Sequence, residues 1–245
     1  MKTHLFIAGC PRSGTSALVQ LLSRSKKVVM GMERYGHLVG KSNFTLTPAH
    51  FEKERFFTME EGDTFYKDVL DFHKFSPDMY EKYDNCTIVG DKRPNLYESY
   101  DELFEHFPDA KVLFIYRDIE RVASSYAARV QEGKSWPITK DFKSAVIEWN
   151  QSLYFTREAL KKGYDIKVVD YDTLFISGDD LQNLFKYLDL QNDEDLHKGL
   201  LDIRMRSKQL IQERKMLLTN DELEFVKDNA KQFLIDDISH ASLFK

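Results

Sequence analysis

The stretch Phe6–Leu22, FIAGCPRSGTSALVQLL, decides how the rest of the chain is read. An apolar run ends at Gly9 and a short polar turn follows. From Thr15 onward Ala17, Leu18, Leu21 and Leu22 recur at helical spacing. Strand, glycine turn and helix in that order make a phosphate-binding loop. Gly9 and Gly14 stand at the G-x4-G spacing of such a loop, but Thr15 occupies the place of its lysine. Glycines let successive N–H groups turn inward, and the dipole of the following helix adds positive potential at the same point. An enzyme acting on a nucleoside triphosphate sets the missing lysine on the β and γ phosphates beside Mg²⁺. Its absence argues for a shorter 5′ anionic group, with Arg12 supplying positive charge from inside the loop.

Working outward, four more apolar runs have strand character. They are Val28–Met30 (VVM), Cys86–Gly90 (CTIVG), Lys111–Tyr116 (KVLFIY) and Ile166–Tyr171 (IKVVDY). Near-continuous apolar runs are expected of parallel strands covered on both faces. Helical patterns fall between them, over 15–24, 97–107, 118–130, 141–162, 179–189 and 220–236. This alternation predicts an α/β fold, a three-layer α/β/α sandwich around a central parallel sheet, with ligand at the carboxyl ends of the strands. The segment from about 41 to 84 is dense in aromatics and has no convincing strand, so it reads as an inserted helical cap. The chain, 1–245, reads as one domain.

The net charge of -5 argues against a general nucleic-acid binder, although a pocket can still be locally positive. The two cysteines, Cys10 and Cys86, each close an apolar run, as small buried residues of a reducing compartment do. The N-terminal residues do not have the pattern of a signal peptide, and no run approaches the length of a membrane span. A cytoplasmic location with no membrane partner is therefore expected; oligomeric state is not readable. The seven histidines are scattered and no Cys/His cluster has ligand spacing, so no metal is expected.

Pro11–Ser16 (PRSGTS) resembles the 5′-phosphosulfate loop of the sulfotransferases that use 3′-phosphoadenosine 5′-phosphosulfate, a family with a P-loop NTPase-like α/β fold and no Walker lysine. Three further elements follow in the order of that family. Arg117 ends a strand, Ser125 comes eight residues later and Tyr126 follows, similar to the family's 3′-phosphate element. Arginine offers a planar fork to a phosphate dianion and serine adds a neutral donor. Gly90–Tyr97 (GDKRPNLY) resembles the family's lysine-bearing loop, with Arg93 replacing a small residue. Val168–Phe175 (VVDYDTLF) resembles its strand end with a tyrosine near the adenine, here Tyr171. The resemblance implies that Pro11, Arg12, Ser13, Gly14, Thr15, Ser16, Arg117, Ser125 and Tyr171 bind this co-substrate.

The implied reaction is in-line displacement at sulfur, from the phosphosulfate to a hydroxyl of a carbohydrate or other small-molecule acceptor. Negative charge grows on the leaving oxygen, so cations there favour the transition state, and Arg12 and Lys92 are the expected ones. The acceptor hydroxyl also needs a base. Small-molecule members of the family carry a histidine shortly after the lysine, whereas this chain has Pro94 there. Members acting on carbohydrates or protein tyrosine use a glutamate after the first helix, which points to Glu33, with Arg34 beside it and His37 and Asp91 in reserve. The basic stretch 204–215 reads either as a flap over the 3′-phosphate, with Arg204 and Arg206, or as a solvated helix face. A small-molecule kinase with an altered loop and a nucleotide-binding module without catalysis remain open readings.

Overall fold

The computed structural model describes residues 2–40, 43–63, 78–133, 136–177, 182–191, 193–213 and 216–243. At its centre lies a parallel five-stranded sheet. Its strands are β1 (Thr3–Ala8), β2 (Val28–Met32), β3 (Ile88–Lys92), β4 (Lys111–Tyr116) and β5 (Ile166–Asp170), in the spatial order β2-β3-β1-β4-β5. All neighbouring pairs are parallel. The first strand is therefore the central one, flanked by β3 and β4.

Strand periodicity sorts the core. Leu5 and Ile7 face one side of the sheet with Val28, Met30, Leu113 and Ile115, against Leu18 and Leu22 of α1 (Thr15–Leu22). Phe6 and Ala8 face the other with Val29, Val112 and Phe114, against Val122 and Tyr126 of α5 (Ile119–Glu132) and Trp149 of α6 (Phe142–Lys161). Two buried faces explain why the strands read as unbroken apolar runs. Gly90 is required by this packing, because a Cβ there would lie 1.7 Å from the Leu5 carbonyl oxygen.

Helix ends follow their local chemistry. The Asp118 carboxylate accepts from the Arg121 N–H at 3.0 Å to start α5, and Gly133 closes it in the left-handed region at φ 64°. Asp141 accepts from Lys143 and Ser144 to start α6. The helix expected over 220–236 is two: α9 (Asn220–Asn229) ends at Ala230, whose ψ of 125° is extended, and α10 (Phe233–Ile238) restarts after it. The stretch 204–215 lies mostly in a long helix, α8 (Glu194–Glu213), where only an alternative between flap and helix face was expected. A π-helical turn (Thr173–Ser177) and α7 (Gln182–Tyr187) link β5 to it.

Within the described part of the expected cap are a 3-10 turn (Pro48–Phe51), α2 (Lys53–Phe57) and α3 (Met79–Asn85). Phe51, Phe56 and Tyr83 are buried there, with the Phe56 ring tilted against both of the others. Phe65, Tyr66, Phe72 and Phe75 lie outside the described residues. The remaining short helix, α4 (Tyr100–His106), follows a 3-10 stretch, Pro94–Ser99.

Candidate active site

The loop between β1 and α1 has left-handed or glycine-only backbone at Gly9 (φ 155°), Arg12 (φ 72°) and Gly14 (φ 102°). The Gly9 N–H donates to the Pro94 carbonyl at 3.0 Å, and the Ser13 N–H to that of Cys10 at 3.1 Å. Left-handed residues set among right-handed ones curve the backbone into a concavity lined by N–H groups, which suits an anion. α1 begins on Gly14 with no side-chain cap on its first turn. Ser13 is fully buried, and its Oγ has no hydrogen-bond partner among the described residues. Thr15 is also buried, while Pro11 and Ser16 are half-buried. Gly14 cannot carry a Cβ, which would lie 2.3 Å from Cδ2 of Tyr171.

The two ends of the expected binding site meet. Arg12 Nε donates to Ser125 Oγ at 3.0 Å, tying the loop to α5. Arg117, just beyond β4, holds its guanidinium 4.2 Å from the centre of the Tyr171 ring. Its Nε is buried with no partner among the described residues, and burial pulls its pKa below the usual arginine value. Trp149 Nε1 donates to the Arg117 carbonyl at 2.9 Å and so fixes the strand end. Arg12, Arg117, Ser125 and Tyr171 line one cleft of about 380 Å³. The sequence reading missed several residues that share it: Arg121, Ser124, Arg129, Ser207 and Leu217. Arg121 had a signal, since it stands four residues after Arg117 at the start of a helix. Ser207, within hydrogen-bond distance of Tyr171 Oη at 3.1 Å, had none, because only the docking of α8 brings it there.

A second group forms where β2 and β3 end side by side, with Met32 in register with Lys92. Glu33 follows in the left-handed region at φ 62° and donates its N–H to the Lys92 carbonyl at 2.8 Å. Lys92 Nζ in turn donates to Glu33 Oε1 at 2.5 Å. The lysine side chain is 2% exposed and the glutamate 37%, so one partner is fixed in the interior and the other opens to solvent. The sheet brings Lys92 close to the start of the loop: it pairs with Ile7, and the Arg93 N–H donates to the Ile7 carbonyl at 3.0 Å.

The other expected residues are directed elsewhere. The Arg34 guanidinium is buried on the Phe56 and Thr58 carbonyls and on the Asp63 carboxylate, so it clamps the cap segment instead of standing beside Glu33. Arg93 donates to the Gly36 carbonyl at 2.6 Å. His37 is exposed beside Gly62, and the Asp91 carboxylate is buried on backbone N–H groups. Arg204 donates to the Leu174 carbonyl at 3.0 Å, bracing the π-helical turn, and exposed Arg206 is not among the residues lining the cleft. Among the described residues no helix is long and apolar enough to cross a membrane. No group of three or more His, Cys, Asp or Glu there is placed to hold a metal ion.

A profile described as "Sulfotransferase family" matches residues 4–194. Solved structures with the same fold include the sulfotransferase domain from the Synechococcus PCC 7002 olefin synthase. It is 16% identical with a TM-score of 0.53, over 93% of this chain and 95% of that one. The sulfotransferase domain from the curacin biosynthetic pathway is 15% identical with a TM-score of 0.52, over 81% and 78%. Sulfotransferase STF9 from Mycobacterium avium is 12% identical with a TM-score of 0.52, over 96% and 76%. Comparison with curated proteins found no match.

Proposed function

Because the chain belongs to the sulfotransferase family, we propose that it moves a sulfonyl group from 3′-phosphoadenosine 5′-phosphosulfate to a hydroxyl of a carbohydrate or other small-molecule acceptor. The observation that carries this reading is the meeting of Arg12, Arg117, Ser125 and Tyr171 in one cleft. Two buried donors, Arg117 Nε at that cleft and Ser13 Oγ in the loop, lack a partner among the described residues, and both fit an anionic ligand. When bound, the donor supplies an electrophilic sulfur and a phosphate leaving group. Pro11–Ser16 hold its 5′ end through N–H groups and hydroxyls, while Arg117 and Ser125 take the 3′-phosphate. Tyr171, packed between Gly14 and Arg117, walls the space joining the two ends.

Arg12 and Lys92 supply positive charge where the leaving oxygen gains negative charge, which lowers the barrier more than it tightens ground-state binding. Lys92 is suited to this because its buried side chain cannot swing out to solvent. Glu33 is suited to take the acceptor proton because it is half-exposed while still anchored to Lys92. The two buried free cysteines support a reducing compartment such as the cytoplasm.

The test is thermal unfolding with 3′-phosphoadenosine 5′-phosphate against ATP plus Mg²⁺. A ligand at a hundred times its dissociation constant adds about 2.7 kcal/mol of stability. Stabilisation by the 3′-phosphorylated nucleotide is expected; stabilisation by ATP plus Mg²⁺ alone would sink the proposal and favour a kinase.

A further inference from the structure

We propose that Asp91 is a positioning residue that fixes Glu33 against Lys92 by gripping the turn that follows β2. This rests on the sulfotransferase reading for its consequence, but the grip itself is a matter of geometry. Asp91 is 5% exposed and stands in register with Phe6 on one side and Gly31 on the other. Its Oδ1 accepts from the Lys92 N–H at 2.9 Å and its Oδ2 from the Tyr35 N–H at 3.3 Å. The Arg34 N–H is a further backbone donor to this carboxylate, which thus holds both segments, β3 at Lys92 and the turn just past Glu33. Gly31 makes room for this, since a Cβ there would lie 2.7 Å from Asp91 Oδ1.

The turn needs such a grip. Glu33 has φ 62°, a strained conformation that a side-chain-bearing residue keeps only where its surroundings enforce it. The charged and titratable groups around Asp91 are Lys92 on β3 and Arg34 and Tyr35 on the turn. The Lys92 ammonium is engaged by Glu33, and the Arg34 guanidinium by Asp63 and two carbonyls. Backbone N–H groups therefore hold the Asp91 charge, and burial pushes its pKa up to about 6. An asparagine has one acceptor and one donor where two acceptors are required, so it keeps at most one of the two links.

The experiment compares wild type with Asp91→Asn by amide hydrogen exchange, by calorimetry with 3′-phosphoadenosine 5′-phosphate, and by turnover of labelled donor with a metabolite extract from pH 5 to 8. A lost link of about 1.4 kcal/mol is a factor of ten. Exchange at Glu33 and Tyr35 should rise roughly tenfold while Leu113 in β4 stays unchanged, nucleotide affinity should hold, and turnover should fall roughly tenfold or more. Should that variant not fold, Gly31→Ala, whose Cβ would lie 2.7 Å from Asp91 Oδ1, displaces the carboxylate instead and should raise exchange at the same two amides; unchanged exchange there overturns the proposal. Unchanged exchange at Glu33 and Tyr35, or a loss shared equally by Leu113 and by nucleotide binding, overturns the proposal. Failure of wild type to bind the nucleotide or consume donor sinks the sulfotransferase reading instead, and the exchange arm still decides whether Asp91 holds the turn.

Discussion

The guanidinium of Arg117 lies 4.2 Å from the centre of the Tyr171 ring, and the edge of that ring closes on the Cα of Gly14. One aromatic side chain therefore spaces the loop from the strand-end arginine. Gly14→Ala should disrupt both, because a Cβ would collide with the ring and φ 102° is foreign to alanine. A loss of roughly 1–3 kcal/mol in urea unfolding is expected, together with loss of nucleotide binding. Adding Tyr171→Leu should return part of the stability; a double variant no better than Gly14→Ala would show that the ring is not the obstacle.

Arg117→Ala should weaken 3′-phosphoadenosine 5′-phosphate by roughly tenfold to a hundredfold, the worth of a charge-assisted bond of about 1.5–3 kcal/mol. Adenosine 5′-phosphate, which lacks the 3′ group, should lose little. Equal losses for both nucleotides in calorimetry would move Arg117 away from the 3′-phosphate.

Glu33→Gln should cut turnover by about 10²–10⁴ while nucleotide affinity stays within a factor of about two, as expected of a general base outside the donor site. Single-turnover kinetics with pre-bound donor separates the two quantities. Retained turnover would remove Glu33 from the role and leave exposed His37 as the remaining neighbour to test.

The pH dependence of stability carries the mark of Asp91. Its pKa is raised to about 6 in the folded chain because burial disfavours the charge. It therefore favours folding fully only below the ordinary carboxylate range, and that contribution disappears as pH rises through about 6. Between pH 4 and 7 the wild type should lose up to about 3 kcal/mol relative to Asp91→Asn. Urea unfolding of both proteins at the two pH values checks the sign. A wild type that gains on the variant as pH rises would mean that the N–H bonds outweigh the burial.

Legibility in the sequence followed the range of the forces involved. The five strands could be read because each is covered on both faces, which leaves an unbroken apolar run; β4 was bounded to the residue. The loop, Arg117 and Ser125 could be read because strand and helix fix their spacing locally. The break between α9 and α10 could not, since Ala230 and Lys231 suit a helix and only tertiary packing ends it; Asn150 Oδ1 accepts from the Lys231 N–H. Arg34 was placed beside Glu33 by adjacency, yet in the left-handed turn the two side chains diverge, one to Lys92 and the other to Asp63. Ser207 reaches the cleft from a helix 36 positions beyond Tyr171, a contact no local pattern announces.

The central place of β1 has a kinetic consequence. Thr3–Ala8 leaves the ribosome well before its partners, Ile88–Lys92 and Lys111–Tyr116. At about 5–20 residues per second, this strand, buried at Leu5–Ala8 in the finished core, waits several seconds for a neighbour. The loop matures no sooner, since Gly9 donates to Pro94. The nascent chain thus passes through a stage with an open, sticky strand and no nucleotide to steady it, the stage at which a holding chaperone would have most effect on yield.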